Sequence, residues 1–296
     1  MTTSSRDLEW FWGGKRVVVG LSECGRGPGV LLLPALSSIS TRAEMQPLMD
    51  RLEATAHLFS VDWPGFGEQS RPNIRWSPDA LSSFLDHLLR KVVPQARMIV
   101  AAGHSAAYAL YHAAHHPGRF ARLALIAPTW RGPLPTMAGG YRPVFARIKR
   151  LIELPVLGPL LYRANVNPLM VRMMVAGHVY SQPRALARHQ FSNKWRVVNA
   201  SGARSGSAAF VTGGLDRVTS RPEFLALTHR LDVPILVIYG AETPPKSRSE
   251  MEALCQSPGV QSCLLPKGKL AVHEEYPDEV WRVLKSFLSS GNLRGQ

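Results

Sequence analysis

Three cysteines in 296 residues are too few and too scattered to build a framework. Cys24, Cys255 and Cys263 are odd in number and form no C-x-x-C pair. With no histidine at ligand spacing beside them, they argue against a disulfide framework or a zinc site, and no metal or cofactor is expected. Long apolar runs are also missing. No stretch approaches the roughly 20 residues that span a bilayer. Met1–Trp12 has neither a basic start nor an apolar core, so no signal peptide is indicated and a cytoplasmic location is expected. Acidic residues are scarce: 21 Asp and Glu stand against 35 Lys and Arg, a net charge of +14. The excess is local, because Arg131–Arg230 holds fifteen Lys and Arg against three Asp and Glu. Those arginines are scattered among apolar residues without a nucleic-acid-binding motif, which speaks against DNA or RNA as a partner.

What is present is an alternation of strands and helices. Glu9–Glu23 reads as two short strands around Gly13-Gly14. Val30–Leu33 is a continuous apolar strand of the kind buried on both faces of a parallel sheet. The serines of Ser37–Thr41 cap a helix over Arg42–Ala56, and His57–Val61 is the next strand. It runs into a loop, Asp62–Pro72, whose glycines and prolines forbid regular structure and which is expected to line a site. Leu81, Phe84, Leu85, Leu88 and Leu89 give Ala80–Val93 a helical apolar face. Further strands are expected at Arg122–Ala127, Pro234–Tyr239 and Val260–Leu265, with helices at Arg248–Leu254 and Glu279–Leu288. Between them, Arg131 to Arg230 changes to helices broken by Pro and Gly: Val144–Leu154, Leu157–Tyr162, Pro168–Met174 and Pro183–Trp195. The expected architecture is therefore α/β, a mostly parallel sheet flanked by helices. Residues 1–130 and 231–296 form the core, and 131–230 form a helical lid insertion.

The chemistry centres on Met98–Leu110, MIVAAGHSAAYAL, a strand, a tight turn and an alanine-rich helix. In such a turn the central residue is strained and needs small neighbours two positions to either side. Gly103 and Ala107 supply them, so Ser105 is expected at the apex with its hydroxyl projecting from the sheet. The N–H of Ala106 would then point at an oxyanion beside it.

Taken together, VLLLPAL, DWPGFGEQSRP, GHSAA after a strand, the helical insertion, PILVIYG and HEEYPDEV resemble the α/β-hydrolase superfamily from about Glu9 to Leu288. The resemblance implies the chain order nucleophile, acid, histidine, and assigns Ser105 as nucleophile. Its acid would fall at Thr243, three residues after Gly240; the carboxylate available in that turn is Glu242, which is assigned to orient the histidine. Lys269 stands where relatives carry the catalytic histidine, so His273 is assigned as general base. Leu36 and Ala106 would supply the oxyanion-hole N–H groups, and His104 is assigned to packing. GAETPPKSRSEMEAL and GKLAVHEEYP resemble a divergent cyanobacterial and plastid branch.

The expectation is a serine hydrolase cleaving an ester or related acyl bond of a hydrophobic small molecule through an acyl-enzyme. The displaced acid and histidine keep a second reading open, a binding or scaffold protein that retains the fold without the triad. Within the insertion, LPVLGPLLY and PLMVRMMVAGHVY set Leu, Val and Met beside Arg147, Lys149, Arg150, Arg163 and Arg172. That composition is expected to rest the lid on an anionic membrane surface.

Overall fold

The computed structural model describes residues 3–69, 71–182 and 188–289. Ser70 of the Asp62–Pro72 loop and the start of the expected helix at Pro183 lie outside them. The strands are β1 (Ser4–Trp12), β2 (Lys15–Gly25), β3 (Gly29–Leu33), β4 (His57–Val61), β5 (Ala96–Ala102), β6 (Arg122–Ile126), β7 (Ile235–Gly240) and β8 (Val260–Leu265). They form one sheet in the order β1-β2-β4-β3-β5-β6-β7-β8. The hairpin β1–β2 and the pair β2–β4 are antiparallel; every later pair is parallel. β3 and β5 sit in the middle, and β3 is buried at all five residues, as its unbroken apolar sequence requires.

The helices between strands are α1 (Gln46–Leu52), α2 (Pro78–His87) and α3 (Ser105–His115). A 3-10 turn over Arg42–Met45 precedes α1, capped by the Thr41 hydroxyl, which accepts from the Ala43 N–H at 3.2 Å. The expected single helix over Arg42–Ala56 is thus two shorter pieces, because Pro47 at the second position of α1 restarts the helix. Ser77 caps α2 through the Ala80 N–H at 3.2 Å, and α2 buries Ala80, Leu81, Phe84 and Leu85, the face its spacing indicates. The two sides of the sheet carry separate cores. Trp10, Leu31, Phe59, Trp63, Phe84 and Tyr108 belong to one; Leu32, Met49, Leu58, Val100, Ile238 and Leu284 belong to the other.

The segment after β6 forms α4 (Pro133–Ala138), α5 (Pro143–Glu153), α6 (Leu157–Asn165), α7 (Pro168–Met174), α8 (Arg188–Val198), α9 (Ala203–Val211) and α10 (Arg221–Ala226). Their breaks fall at prolines and at the left-handed Gly139 and Gly202. A third apolar cluster joins them to the sheet, with Val171, Val175, Tyr180 and Val198 packing on Ile39 and Ala271. The chain closes with α11 (Pro245–Cys255), α12 (Val272–Glu275) and α13 (Pro277–Ser289). Among the described residues, no helix is long and apolar enough to cross a membrane.

Candidate active site

The turn between β5 and α3 is the first feature of the site, and its geometry corrects the sequence reading. The residue with left-handed backbone is Gly103, at φ +52°, not Ser105. Ser105 is already the first residue of α3, so it is helical. The pentapeptide that fits the turn is therefore Ala101-Ala102-Gly103-His104-Ser105, with small residues at both ends and glycine at the apex. The apex is pinned from three directions. Gly103 N–H donates to Ile126 O at 2.9 Å, and its carbonyl accepts from Thr129 N–H at 3.0 Å and Ala106 N–H at 3.2 Å. A Cβ built on Gly103 would point at Ala35, 3.1 Å from its Cβ, in the loop after β3. Beside it, Ala127 at the end of β6 holds φ +44°, a costly conformation for alanine.

Ser105 is fully buried. Its hydroxyl donates to the Pro34 carbonyl and accepts from the Trp63 indole N–H at 2.7 Å, which also lies 3.2 Å from Pro34 O. These bonds fasten α3 to the ends of β3 and β4. The Ala106 N–H, expected in an oxyanion hole, is committed to the Gly103 carbonyl, because it closes the turn that begins α3. From the Asp62–Pro72 loop, Trp63 reaches Ser105. Asp62, fully buried, binds the Arg42 backbone N–H at 2.7 Å and the Arg42 guanidinium. Burial pushes the Asp62 carboxyl above its ordinary range, against the pull of Arg42.

Next to the apex, a cavity of about 100 Å³ is lined by Leu36, Glu44, Gly103, Lys194, His273 and Glu274 among others. Neither Ser105 nor Glu242 lines it. His273, 1% exposed, carries two ring nitrogens without a hydrogen-bond partner, and Ser105 is not bonded to it. The acid beside the imidazole is Glu44, with Oε1 3.6 Å from His273 Nε2. The same carboxylate accepts from the Ala35 N–H. Burial by itself would raise the Glu44 carboxyl. His273, Lys194 and the Ala35 N–H together hold it below its ordinary value, so it is an anion. Lys194, from α8, lies 3.1 Å from Glu274 Oε1, and Tyr180 donates to that oxygen at 2.6 Å.

Glu242 is exposed and serves as a fastener. Its carboxylate accepts from the Gly268 N–H at 2.9 Å, and its own N–H donates to Gly268 O at 3.1 Å. Ser181, the Gly268 N–H and nearby lysines hold its carboxyl low. Glu242 is displaced from the histidine because β7 ends in a turn that spends this carboxylate on the segment before His273, not on the ring. Lys269 is equally structural: Nζ donates to Ala176 O at 2.7 Å and Gly177 O at 3.3 Å. His104 packs on Tyr108 and Phe210, with Nε2 3.3 Å from Leu215 O, and it also borders the cavity. Sequence reasoning missed Glu44, Lys194 and Glu274. Glu44 carried a readable signal, a carboxylate between apolar Ala43 and Met45 in the segment that follows a buried strand. Lys194 carried none.

A parallel sheet with an antiparallel hairpin at one edge, a strained strand-to-helix turn and a histidine delivered by the last loop define an α/β-hydrolase architecture. A profile of the Alpha/beta hydrolase family matches residues 30–283, and the chain belongs to that family. Among solved structures it is similar to a thermophilic esterase from Thermogutta terrifontis, at 18% identity and a TM-score of 0.72, over 96% of this chain and 98% of that one. It is also similar to a haloalkane dehalogenase loop variant from Bradyrhizobium elkanii (17%, TM-score 0.70, 98% and 97% covered). The Cif epoxide hydrolase from Acinetobacter nosocomialis gives 14% and 0.73, with 96% and 89% covered. A search of curated protein sequences finds no match. Family membership supports a hydrolytic activity; at these identities the structural neighbours speak for the fold alone.

Proposed function

We propose that the chain hydrolyses an ester or related acyl bond of a small molecule without a covalent serine intermediate. The observation that carries this reading is the pairing of His273, buried and unpartnered at the cavity wall, with the Glu44 anion, next to an apex that is glycine. His273 takes a proton from water as the water oxygen adds to the carbonyl carbon. Glu44 stabilises the imidazolium, and His273 returns the proton to the leaving oxygen as the acyl bond breaks. Lys194 adds positive charge beside the same cavity. Ser105 holds α3 in place. The bonds of its hydroxyl to Pro34 and Trp63 favour this reading over the serine mechanism that the motif suggests.

The test is turnover of a panel of small esters and lactones, with a fluorophosphonate probe run beside it. Ser105→Ala is expected to keep activity within a few-fold and the wild type to resist the probe. His273→Ala should lose the roughly 10²–10⁴-fold that a positioned base contributes. Labelling of Ser105, with loss of turnover in Ser105→Ala, overturns the reading and restores an acyl-enzyme. The glycine apex also favours a second reading, a ligand-binding protein on a hydrolase fold. Saturable binding that depends on His273, with no turnover, would establish it.

We further propose that the insertion docks on an anionic membrane. Twelve of the fourteen large hydrophobic side chains that are exposed among the described residues fall in Met137–Met174, including Val156 at 79%, Leu169 at 67% and Leu160 at 64%. Exposed Arg142, Arg147, Arg150, Arg163 and Arg172 stand among them. Basic groups near an anionic surface contribute on the order of 1 kcal/mol each. Co-sedimentation with phosphatidylserine vesicles, lost in high salt and in Leu160→Glu/Leu169→Glu, is the expected result. Equal recovery with neutral and anionic vesicles would refute it.

A further inference from the structure

A second cavity, of about 240 Å³, is separate from the one beside Gly103. It lies between α2 and α3 and is lined by Asp86, Arg90, Tyr108, Tyr111, His112 and His116 together with Ser82 and Leu85. His112 and His116 are four residues apart, so they emerge from one face of the helix a single turn apart. Their rings stack with centroids 4.1 Å apart. Asp86, near the end of α2, faces both: its Oδ1 is 3.7 Å from His112 Nε2 and 3.9 Å from His116 Nε2. The three ligand atoms all lie within 4.8 Å of one another.

Three details fit these atoms to a cation. His116 Nδ1 lies 2.9 Å from the His112 carbonyl and donates to it, which leaves the Nε2 lone pair facing Asp86. That is the arrangement in which metal-binding histidines are normally held, the far nitrogen fixed by a carbonyl. His112 is 6% exposed, and neither of its ring nitrogens has a hydrogen-bond partner, an uncommon state for a buried imidazole that a bound ion would resolve. Arg90 binds Asp86 through Oδ2, so Oδ1 stays available while the carboxylate is held in place.

We propose that Asp86, His112 and His116 form a binding site for a divalent transition-metal ion of the zinc class. Ligands of such an ion stand about 2.0–2.2 Å from it, so the side chains close by less than about 1 Å around it, and the adjoining cavity has room for water at the remaining positions. Two imidazoles and one carboxylate are the donor set that zinc, cobalt(II) and iron(II) accept, whereas calcium and magnesium prefer oxygen. The site is separate from the cavity beside Gly103. His112 lies seven residues along α3 from Ser105, which is about 10 Å at the helical rise. The second cluster of ligand-type side chains, Glu44, His273 and Glu274, already holds a cation in Lys194 and is not the site proposed. An ion here would tie α2 to α3 at the end of α3 remote from the strained turn.

The test uses the full chain, without a histidine tag, titrated with zinc chloride by calorimetry and with cobalt(II) chloride by visible absorption. One ion per chain is expected, with the ligand-field bands of a low-symmetry cobalt(II) site and a rise in melting temperature on zinc addition. His116→Ala and Asp86→Asn should each weaken binding at least tenfold. His116 is half-exposed, and circular dichroism of that variant should match the wild type. His115→Ala, an exposed neighbour outside the cluster, should bind like the wild type. No binding by the wild type, or unchanged binding in both His116→Ala and Asp86→Asn, overturns the proposal. The readout does not involve turnover, so it stands or falls independently of the mechanism assigned to His273.

Discussion

Replacing Gly103 by serine tests the geometry of the strand-to-helix turn directly. At φ +52° an L-residue pays roughly 1–2 kcal/mol. The added Cβ comes to 3.1 Å from the Ala35 Cβ, so the loop after β3 must yield by a few tenths of an ångström. A total near 2 kcal/mol corresponds to a melting temperature lower by about 3 °C for a chain of 296 residues, at an unfolding entropy of about 2.1 cal/mol/K per residue. In return, Gly103→Ser sets a hydroxyl at the apex beside the cavity wall, where Ser105 has none. The variant is expected to react with a fluorophosphonate probe at residue 103, while the wild type and Gly103→Ala do not. Gly103→Ala should carry the same stability cost without labelling. Calorimetry and peptide mapping of labelled protein read both outcomes. The reasoning is refuted if Gly103→Ala is stabilising, as it would be at an ordinary helical position, or if wild-type label maps to Ser105.

Three further expectations follow from the same structure. His104 and Asp216, whose atoms approach to 3.5 Å, are both neutral by burial, with pKa values near 4 and near 8 respectively. A histidine with a depressed folded pKa loses its stabilising contribution as pH falls from about 6.5 towards 4, worth ~3 kcal/mol. An aspartate with a raised one loses stability as pH rises from about 4 towards 8. Urea unfolding from pH 4 to 8 should therefore show Asp216→Asn gaining on the wild type as pH rises and His104→Gln gaining as pH falls; parallel curves would refute the assignment. Asp62→Ala leaves Arg42 without the carboxylate it is bonded to and should cost about 3–5 kcal/mol, read as a shift in denaturation midpoint. Lys269→Ala should lower stability by about 1–2 kcal/mol through two carbonyls left short of a donor, with kcat unchanged; loss of turnover in a folded variant would make Lys269 part of the chemistry.

The sequence by itself determined the layers of this protein. Unbroken apolar runs such as Val30–Leu33 and the helical spacing of Leu81–Leu89 are local patterns. Burial of those faces is what local patterns report, so the parallel sheet and its flanking helices were legible before any contact was known. The turn was legible as a turn, because small residues cluster around it. Which residue occupied its apex was not, since Gly103 and Ser105 both fit a small-x-apex-x-small pattern and only the backbone angle separates them. The partner of His273 was beyond local reading for a different reason. Glu44 comes from the turn before α1 and Lys194 from the insertion, segments brought together by the crossing of β3 and the packing of α7 and α8 on Ile39 and Ala271. Glu242 looked right because it is near His273 along the expected order of the family. The fold turns its carboxylate to the Gly268 N–H instead, and the acid beside the ring is Glu44.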